Sequence, residues 1–414
     1  MLDEISFKNY KIFKEKQTFK IKPLTIIIGK NNTGKSAILK LMPLIESALN
    51  KSTDKVFELN NEGVISAKKY KDLIYGKFSR SLEIELSEIK PDKKTTLKSG
   101  IIVDNNKDLP IIESWQLKET NNNKDEIIVD LLKDNNNNNN NTYINDLDSI
   151  EYACSFSGLY LNSYMNQESK ITTKITNEQL TLKTDFIGAI REIAKQDYRL
   201  QIEQDKSGVD GRFLYDYLIR DYQTTDKKYF NQISSWISEN FEGWYIYIDI
   251  DNEPYHIELK NENLSINLSE TGLGIGQVLP LIIRAYRPCY EDTLILIEEP
   301  EAHLHPFAHT QIAQLLAEST KNDPYKKYII ETHSQNFILR LRRLIAEGII
   351  SSNDIAIYYV NYDEIKKEST LNEISVDERG GVNWWPDGIF GETNIETRAI
   401  YNAQLNDSKN VGRN

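Results

Sequence analysis

Between Leu24 and Ser36 the chain reads Leu-Thr-Ile-Ile-Ile-Gly-Lys-Asn-Asn-Thr-Gly-Lys-Ser. A β-branched apolar run breaks into Gly-x4-Gly-Lys-Ser. It continues as Ala37-Ile38-Leu39-Lys40-Leu41-Met42 with apolar residues at helical spacing. A strand that turns through glycines into a helix start commits the chain to an α/β architecture with this loop at a sheet edge. The residue types also specify a chemistry. Gly29 ends the strand, and Gly34 lets the backbone curl so that the N–H groups of Lys30, Asn31, Asn32 and Thr33 point inward at phosphate oxygens. Lys35 is expected as an exposed point charge that reaches the β- and γ-phosphates. Ser36 offers a hydroxyl to Mg²⁺, and the helix N-terminus adds its positive dipole end. The expected ligands are ATP and Mg²⁺.

Such a loop needs acids on a neighbouring strand, for the metal and for the attacking water. Leu294-Ile295-Leu296-Ile297-Glu298-Glu299-Pro300 has the form of a strand buried on both faces that ends in two carboxylates. Consecutive strand residues point to opposite sides, so the two acids take different roles. Glu298 is expected on the Mg²⁺ side and Glu299 as the base that orients water. Upstream, Ser269-Glu270-Thr271-Gly272-Leu273-Gly274 is a glycine-rich turn before an apolar helix, a second helix N-terminus suited to an anion. Downstream, Tyr328-Ile329-Ile330 leads into Glu331-Thr332-His333-Ser334, which sets the His333 imidazole at the same sheet edge as a γ-phosphate sensor. His303, His305 and His309 form His-x-His-x3-His, which reads either as a metal cluster or as a structural loop and helix start.

The remainder of the chain sets limits. Its 414 residues carry a net charge of −12, which argues against non-specific coating of nucleic acid. Lysines crowd residues 8–22 and arginines cluster at Arg340, Arg342 and Arg343, either as solvated faces or as local patches for DNA. Two cysteines allow no disulfide framework. No apolar run spans a membrane and the N-terminus does not read as a signal peptide, so a cytoplasmic protein is expected.

Pattern divides the chain into four expected units. Residues 1–185 form the N-terminal half with a β-rich part, in which an asparagine-rich loop at about 120–145, including the run Asn135–Asn141, reads as disordered. Residues 186–242 read as an inserted helical lobe, 243–345 as the C-terminal half with strand–helix alternation, and 346–414 as a tail subdomain. The tail carries Trp384-Trp385-Pro386, suited either to docking or to intramolecular packing.

The order of P-loop, Ser-x2-Gly turn, Glu-Glu-Pro, His-Leu-His-Pro and Thr-His-Ser resembles the ATP-binding-cassette ATPases of the structural-maintenance-of-chromosomes (SMC) and RecF type. More narrowly it is similar to prokaryotic ATPases related to the overcoming-lysogenization-defect nucleases. Phe7-Lys8-Asn9-Tyr10, Phe186-Ile187-Gly188-Ala189-Ile190-Arg191 and Trp385-Pro386-Asp387-Gly388 fit as well. The resemblance implies an α/β, ABC-type P-loop ATPase head with a β-rich subdomain, an inserted helical lobe and a small C-terminal α/β tail. It also implies a homodimer or higher homo-oligomer, in which Ser269, Gly272 and Gly274 of one subunit cap the γ-phosphate held at Lys35 of the other. Related stand-alone ATPases of the Septu, Gabija and PARIS types work beside a separately encoded effector, a nuclease or toxin, in anti-phage defence. About 70 residues follow Arg343, short of a further nuclease domain on the scale of known domains, and no intrinsic nuclease is expected. A RecF-like repair ATPase that contacts DNA ends or gaps is the alternative, and a soluble transporter cassette is a third reading.

Overall fold

A computed structural model describes residues 1–402, apart from 51–54, 78–79, 105–106, 122–123, 135–140, 175–179, 250–252, 387 and 391–395. Its centre is a six-stranded sheet built from β1 (Leu24–Gly29), β2 (Thr184–Ile187), β3 (Thr293–Glu298), β4 (Lys326–Glu331), β5 (Ile355–Asp363) and β6 (Glu368–Ile374). The spatial order is β2-β3-β4-β1-β5-β6, parallel throughout except for the antiparallel β5–β6 pair.

Alternation along these strands divides the interior in two. Ile27, Leu294, Leu296 and Ile329 face one apolar core, together with helix α1 (Lys35–Leu49). Leu24, Ile26, Ile28, Ile295, Ile297 and Ile330 face the other. Strands buried on both faces require such uninterrupted apolar runs. The second core is closed by α2 (Phe213–Gln223), α3 (Lys228–Asn240), α4 (Leu273–Tyr286), α5 (Pro306–Asn322) and α6 (Gln335–Ala346). The first is closed by a ten-stranded antiparallel sheet that starts with Glu4–Lys8 and Gln17–Lys20 and continues through residues 82–174. A buried ion pair, Arg284 Nε to Asp185 at 2.5 Å, ties α4 to β2.

Several expected boundaries move. The stretch expected as a loop at 120–145 contains strands Lys124–Lys133 and Thr142–Asn145. Val129 and Leu131 pair with Leu117 and Trp115 and are buried, so they recruit this segment into the sheet. Within the asparagine run, residues 135–140 lie outside the described residues. Phe186 and Ile187 belong to β2, so the expected lobe boundary at 186 moves, while the helical pattern from Gly211 to Phe241 becomes helices Phe213–Gln223 and Lys228–Asn240. Tyr245–Asp249 is a strand of a separate three-stranded antiparallel sheet. In the tail, β5 pairs with β1, so the segment after residue 346 contributes to the central sheet. Trp384 and Trp385 pack inward on the second core and donate their indole N–H groups to the Glu373 and Ile389 carbonyls. Among the described residues no helix is long and apolar enough to cross a membrane.

The charged clusters are largely tied down. Lys8 and Lys16 meet Glu83 and Glu85 at 3.1 and 2.7 Å, and Lys11 donates to the Ser66 carbonyl. Arg340 donates to Gln314, Arg342 to the Gly380 carbonyl, and Arg343 to Glu347.

Candidate active site

The loop after β1 bends through Asn32 at φ 62° and Gly34 at φ 101°, the region that favours residues without a Cβ. A Cβ on Gly34 would lie 2.7 Å from Ile12 Cδ1, and one on Gly29 would lie 2.6 Å from the Val360 carbonyl oxygen. Glycine is therefore required at both positions. Lys30, Asn31 and Asn32 are exposed, and Thr33 caps the turn by donating to the Lys30 carbonyl at 2.9 Å.

Lys35 departs from expectation. It is 4% exposed rather than a free surface charge. Its Nζ donates to the Lys30 carbonyl at 2.8 Å and lies 3.7 Å from Glu331. Burial lowers its pKa, while Glu331 and Glu299 work in the opposite direction. The loop thus satisfies its own lysine through a backbone oxygen, which a phosphate can replace.

Loop, β3 and β4 converge on a cavity of about 550 Å³ lined by Asn31, Asn32, Gly34, Lys35, Ser36, Glu299, Glu331 and His333, with Lys11 and Ile12 at its margin. The two acids after the apolar run diverge. Glu298 is mostly buried and has Lys40 at 4.0 Å, whereas Glu299 is partly open and lies 3.9 Å from His333 Nε2. Burial raises the Glu298 pKa and lowers that of His333, which favours a neutral imidazole near pH 7. Glu299 has φ 44°, a left-handed conformation that a non-glycine residue adopts at some cost.

Three residues of the candidate site were missed in the sequence reading. Arg191, 2% exposed, donates through Nη2 to the carbonyls of Glu298 at 2.9 Å and Glu299 at 2.8 Å, clamping the turn that carries both acids. Its own backbone is held by Gln277 of α4 in a reciprocal pair at 3.3 and 3.2 Å. Glu331 lines the cavity, and the Ser36 hydroxyl hydrogen-bonds its carboxylate. Burial pushes its pKa up to about 7; Ser36 and Lys35 pull it down, while Glu298 and Glu299 push it up. Glu301 accepts the His333 N–H at 2.5 Å and so fixes the imidazole-bearing loop. The available signal was the density of glutamates around the acid pair and before His333. Nothing local distinguished Glu331 from a strand-end acid.

The donor set fits a hard divalent cation: a hydroxyl and several carboxylates, with buried oxygens on Glu298 and Glu331 that have no hydrogen-bond partner. Ser36 and Glu298 are the residues expected to hold Mg²⁺, which would neutralise phosphate charge; Ser36 lines the cavity, whereas Glu298 is not among its lining residues. The histidine triplet does not form such a centre. His305 accepts the Phe307 N–H as the cap of α5, and His309 lies between Ser334 Oγ and the Leu304 carbonyl. Among the described residues the one group with metal-ligating atoms mutually within 4.8 Å is Glu299, Glu331 and His333.

Ser269, Gly272 and Gly274 are not among the residues that line the P-loop cavity. Gly272 and Gly274 line a separate cavity of about 670 Å³ with Trp244, Leu304 and Phe307, and a Cβ on Gly272 would meet nothing within 4 Å. Ser269 lies in the turn before α4, bonded to Asn267.

A glycine loop and helix start, opposed by strand-end carboxylates and an imidazole on adjacent parallel strands, define a P-loop ATPase of the α/β class. The chain belongs to the AAA ATPase domain family (AAA_15), whose family model matches residues 1–338, a span that includes all of these groups. Residues 350–400 match a second family described as a protein of unknown function, DUF3696. No curated protein matches the chain. Similar solved structures include an SmcHead bound to the C-winged helix domain of ScpA, with 15% identity over 90% of this chain and 98% of that one and a TM-score of 0.46. The SMC head domain from Thermotoga maritima has 13% identity over 91% and 99%, with a TM-score of 0.42. An Smc head domain with an extended coiled coil, bound to the C-terminal domain of ScpA derived from Pyrococcus furiosus, has 13% identity over 90% and 96%, with a TM-score of 0.45.

Proposed function

We propose that this chain binds and hydrolyses ATP with Mg²⁺ as a head-to-tail homodimer, and that the pair is a nucleotide-gated sensor and scaffold for a separately encoded nuclease or toxin in prokaryotic anti-phage defence. The observation that carries the dimer is the separation of the two half-sites. Lys35, Ser36, Glu299 and His333 border one cavity, while Gly272 and Gly274 border another, with open space in front of Gly272. A second copy is what would bring Ser269 and Gly272 to the phosphate end of the first. In that arrangement Glu299 orients water and His333 contacts the γ-phosphate. The effector and the defence role rest on the motif resemblance alone, to ATPases that work beside separately encoded effectors.

Two crippled chains test the pairing. Lys35→Ala removes the phosphate lysine, and Ser269→Arg blocks the opposite half-site. Each variant alone should hydrolyse ATP at background rate. Mixed in equal amounts, they should recover a substantial part of wild-type turnover, because one composite site of the mixed dimer is intact. Failure to recover activity, with both variants folded, would refute the shared site. Purification from the native operon with and without ATP should bring down a second protein; ATP-dependent pairing with no co-purifying protein would remove the scaffold role and leave the ATPase.

A further inference from the structure

We propose that Glu331 is a second metal-side carboxylate: together with Glu298 and the Ser36 hydroxyl, it holds the divalent cation that accompanies the nucleotide. The inference rests on the ATP reading above and adds a ligand to the single acid expected at the end of β3.

Register carries the first part of the argument. Glu298 and Glu331 are direct partners on the parallel pair β3–β4, so their side chains leave the sheet on the same side. Glu331 is 3% exposed and lines the P-loop cavity. Burial carries the second part. Glu298 Oε1 and Glu331 Oε2 are both buried and both lack a hydrogen-bond partner. Carboxyl groups on two register-paired residues, each with an oxygen withdrawn from water, are costly to ionise unless a cation meets them.

The cations within the protein do not meet that need. Lys40 stands 4.0 Å from Glu298, beyond hydrogen-bonding distance. Lys35 stands 3.7 Å from Glu331 and already donates to the Lys30 carbonyl. Lys35 is also the group that phosphate would recruit, so the arrival of nucleotide draws off the nearest positive charge just as the site receives more negative charge. The Ser36 hydroxyl, hydrogen-bonded to Glu331, links that carboxylate to the loop's own metal ligand. Magnesium is commonly bound by one or two carboxylates plus phosphate oxygens, which matches this set. Glu299 is near Glu331 as well, but it is the more open acid, and that leaves it for water.

The rival role for Glu331 is a counter-ion for Lys35 and nothing more, and the two roles separate in one experiment. Binding of a non-hydrolysable ATP analogue to the full chain is measured by calorimetry in Mg²⁺ and in EDTA. Protein-bound Mn²⁺ in the presence of the analogue is counted by electron paramagnetic resonance. In Glu331→Gln the affinity gained from Mg²⁺ should shrink tenfold or more, bound Mn²⁺ should fall, and affinity in EDTA should stay level or rise. Glu331→Asp, which keeps the charge and shortens its reach, should recover part of the loss and serves as the readout if the glutamine variant is poorly folded. An unchanged Mg²⁺ gain and unchanged Mn²⁺ binding in both variants would overturn the assignment and leave the ATP reading intact. A wild-type protein that binds no nucleotide would overturn both.

Discussion

The P-loop cavity and the cavity beside Gly272 are of similar size, about 550 and 670 Å³, and opposite in character. The first gathers Lys35, Glu299, Glu331 and His333 at the ends of parallel strands. The second is walled mainly by apolar side chains, among them Phe241, Trp244, Leu259, Ile275 and the 62%-exposed Phe307, with Glu242, Glu270 and His305 also in its lining. Keeping charge away from water has a cost, and a fold retains such an arrangement where a ligand uses it. The apolar cavity has no comparable electrostatic tension; its open glycine turn and exposed phenylalanine suit contact with another surface. Under the proposed function the first serves chemistry and the second association. They are joined by one chain of contacts, from α4 through Gln277 to the Arg191 backbone, and from the Arg191 guanidinium to the carbonyls of Glu298 and Glu299.

The largest effect should come from the chemical side. Glu299→Gln keeps the shape and loses the base, so turnover should fall by about 100-fold or more while nucleotide affinity stays within a few-fold of wild type. Phosphate release and equilibrium binding measure the two quantities separately. ATP-dependent pairing should persist longer in the variant, because the closed state no longer decays by hydrolysis. Wild-type turnover would move the base to another group, and His333, 3.9 Å away, is the nearest candidate.

A smaller effect should follow from cutting the contact between the two cavities. Arg191→Met removes the clamp on two successive carbonyls and leaves every cavity-lining side chain in place. Small displacements of a reacting group are expensive, so kcat should drop by roughly 10-fold with KM little changed, and Arg191→Lys should restore part of it. The guanidinium stays charged despite its burial, which lowers its pKa to about 10. Equal losses in kcat and thermal stability, with no rescue by lysine, would reduce Arg191 to packing.

These residues also show what the sequence disclosed. The P-loop and the Glu298-Glu299 pair were legible because strand, turn and helix are consecutive, and their geometry is set locally. Gly272 was legible as a helix start, but its separation from Lys35 depends on how α4 packs. Glu331 acquires its meaning from the register between β3 and β4, and Arg191 from contacts more than a hundred positions away. Neither has a local pattern. Lys35 was misjudged because the loop's own Lys30 carbonyl, five residues back, draws the ammonium inward. The strand at Lys124–Lys133 was hidden by its asparagine neighbours, although Val129 and Leu131 carry the alternation that buries it.

The smallest expected effect concerns the stability of the nucleotide-free protein, and it has a definite sign. Burial holds the Glu331 pKa up at about 7 against an ordinary value of 4.5. Between those values the folded state binds the proton that the unfolded chain has released. Stability therefore declines as pH rises from 4.5 through 7 and remains lower above it. Glu331→Gln removes the ionisation, so at pH 8 the variant should be more stable than wild type by roughly 1–3 kcal/mol, the scale set by 1.36 kcal/mol per pKa unit. The difference should shrink through the same window and be lost near pH 4.5. Thermal melts of both proteins without nucleotide or metal, taken from pH 4.5 to 8, trace it directly. Parallel curves would show that Glu331 meets no electrostatic penalty when the cavity is empty, and the contrast between a charged, costly cavity and a relaxed apolar one would fail at its central residue. A variant that gains stability while losing Mg²⁺-dependent affinity would show instead that this carboxylate is retained for its ligand, at the expense of the fold.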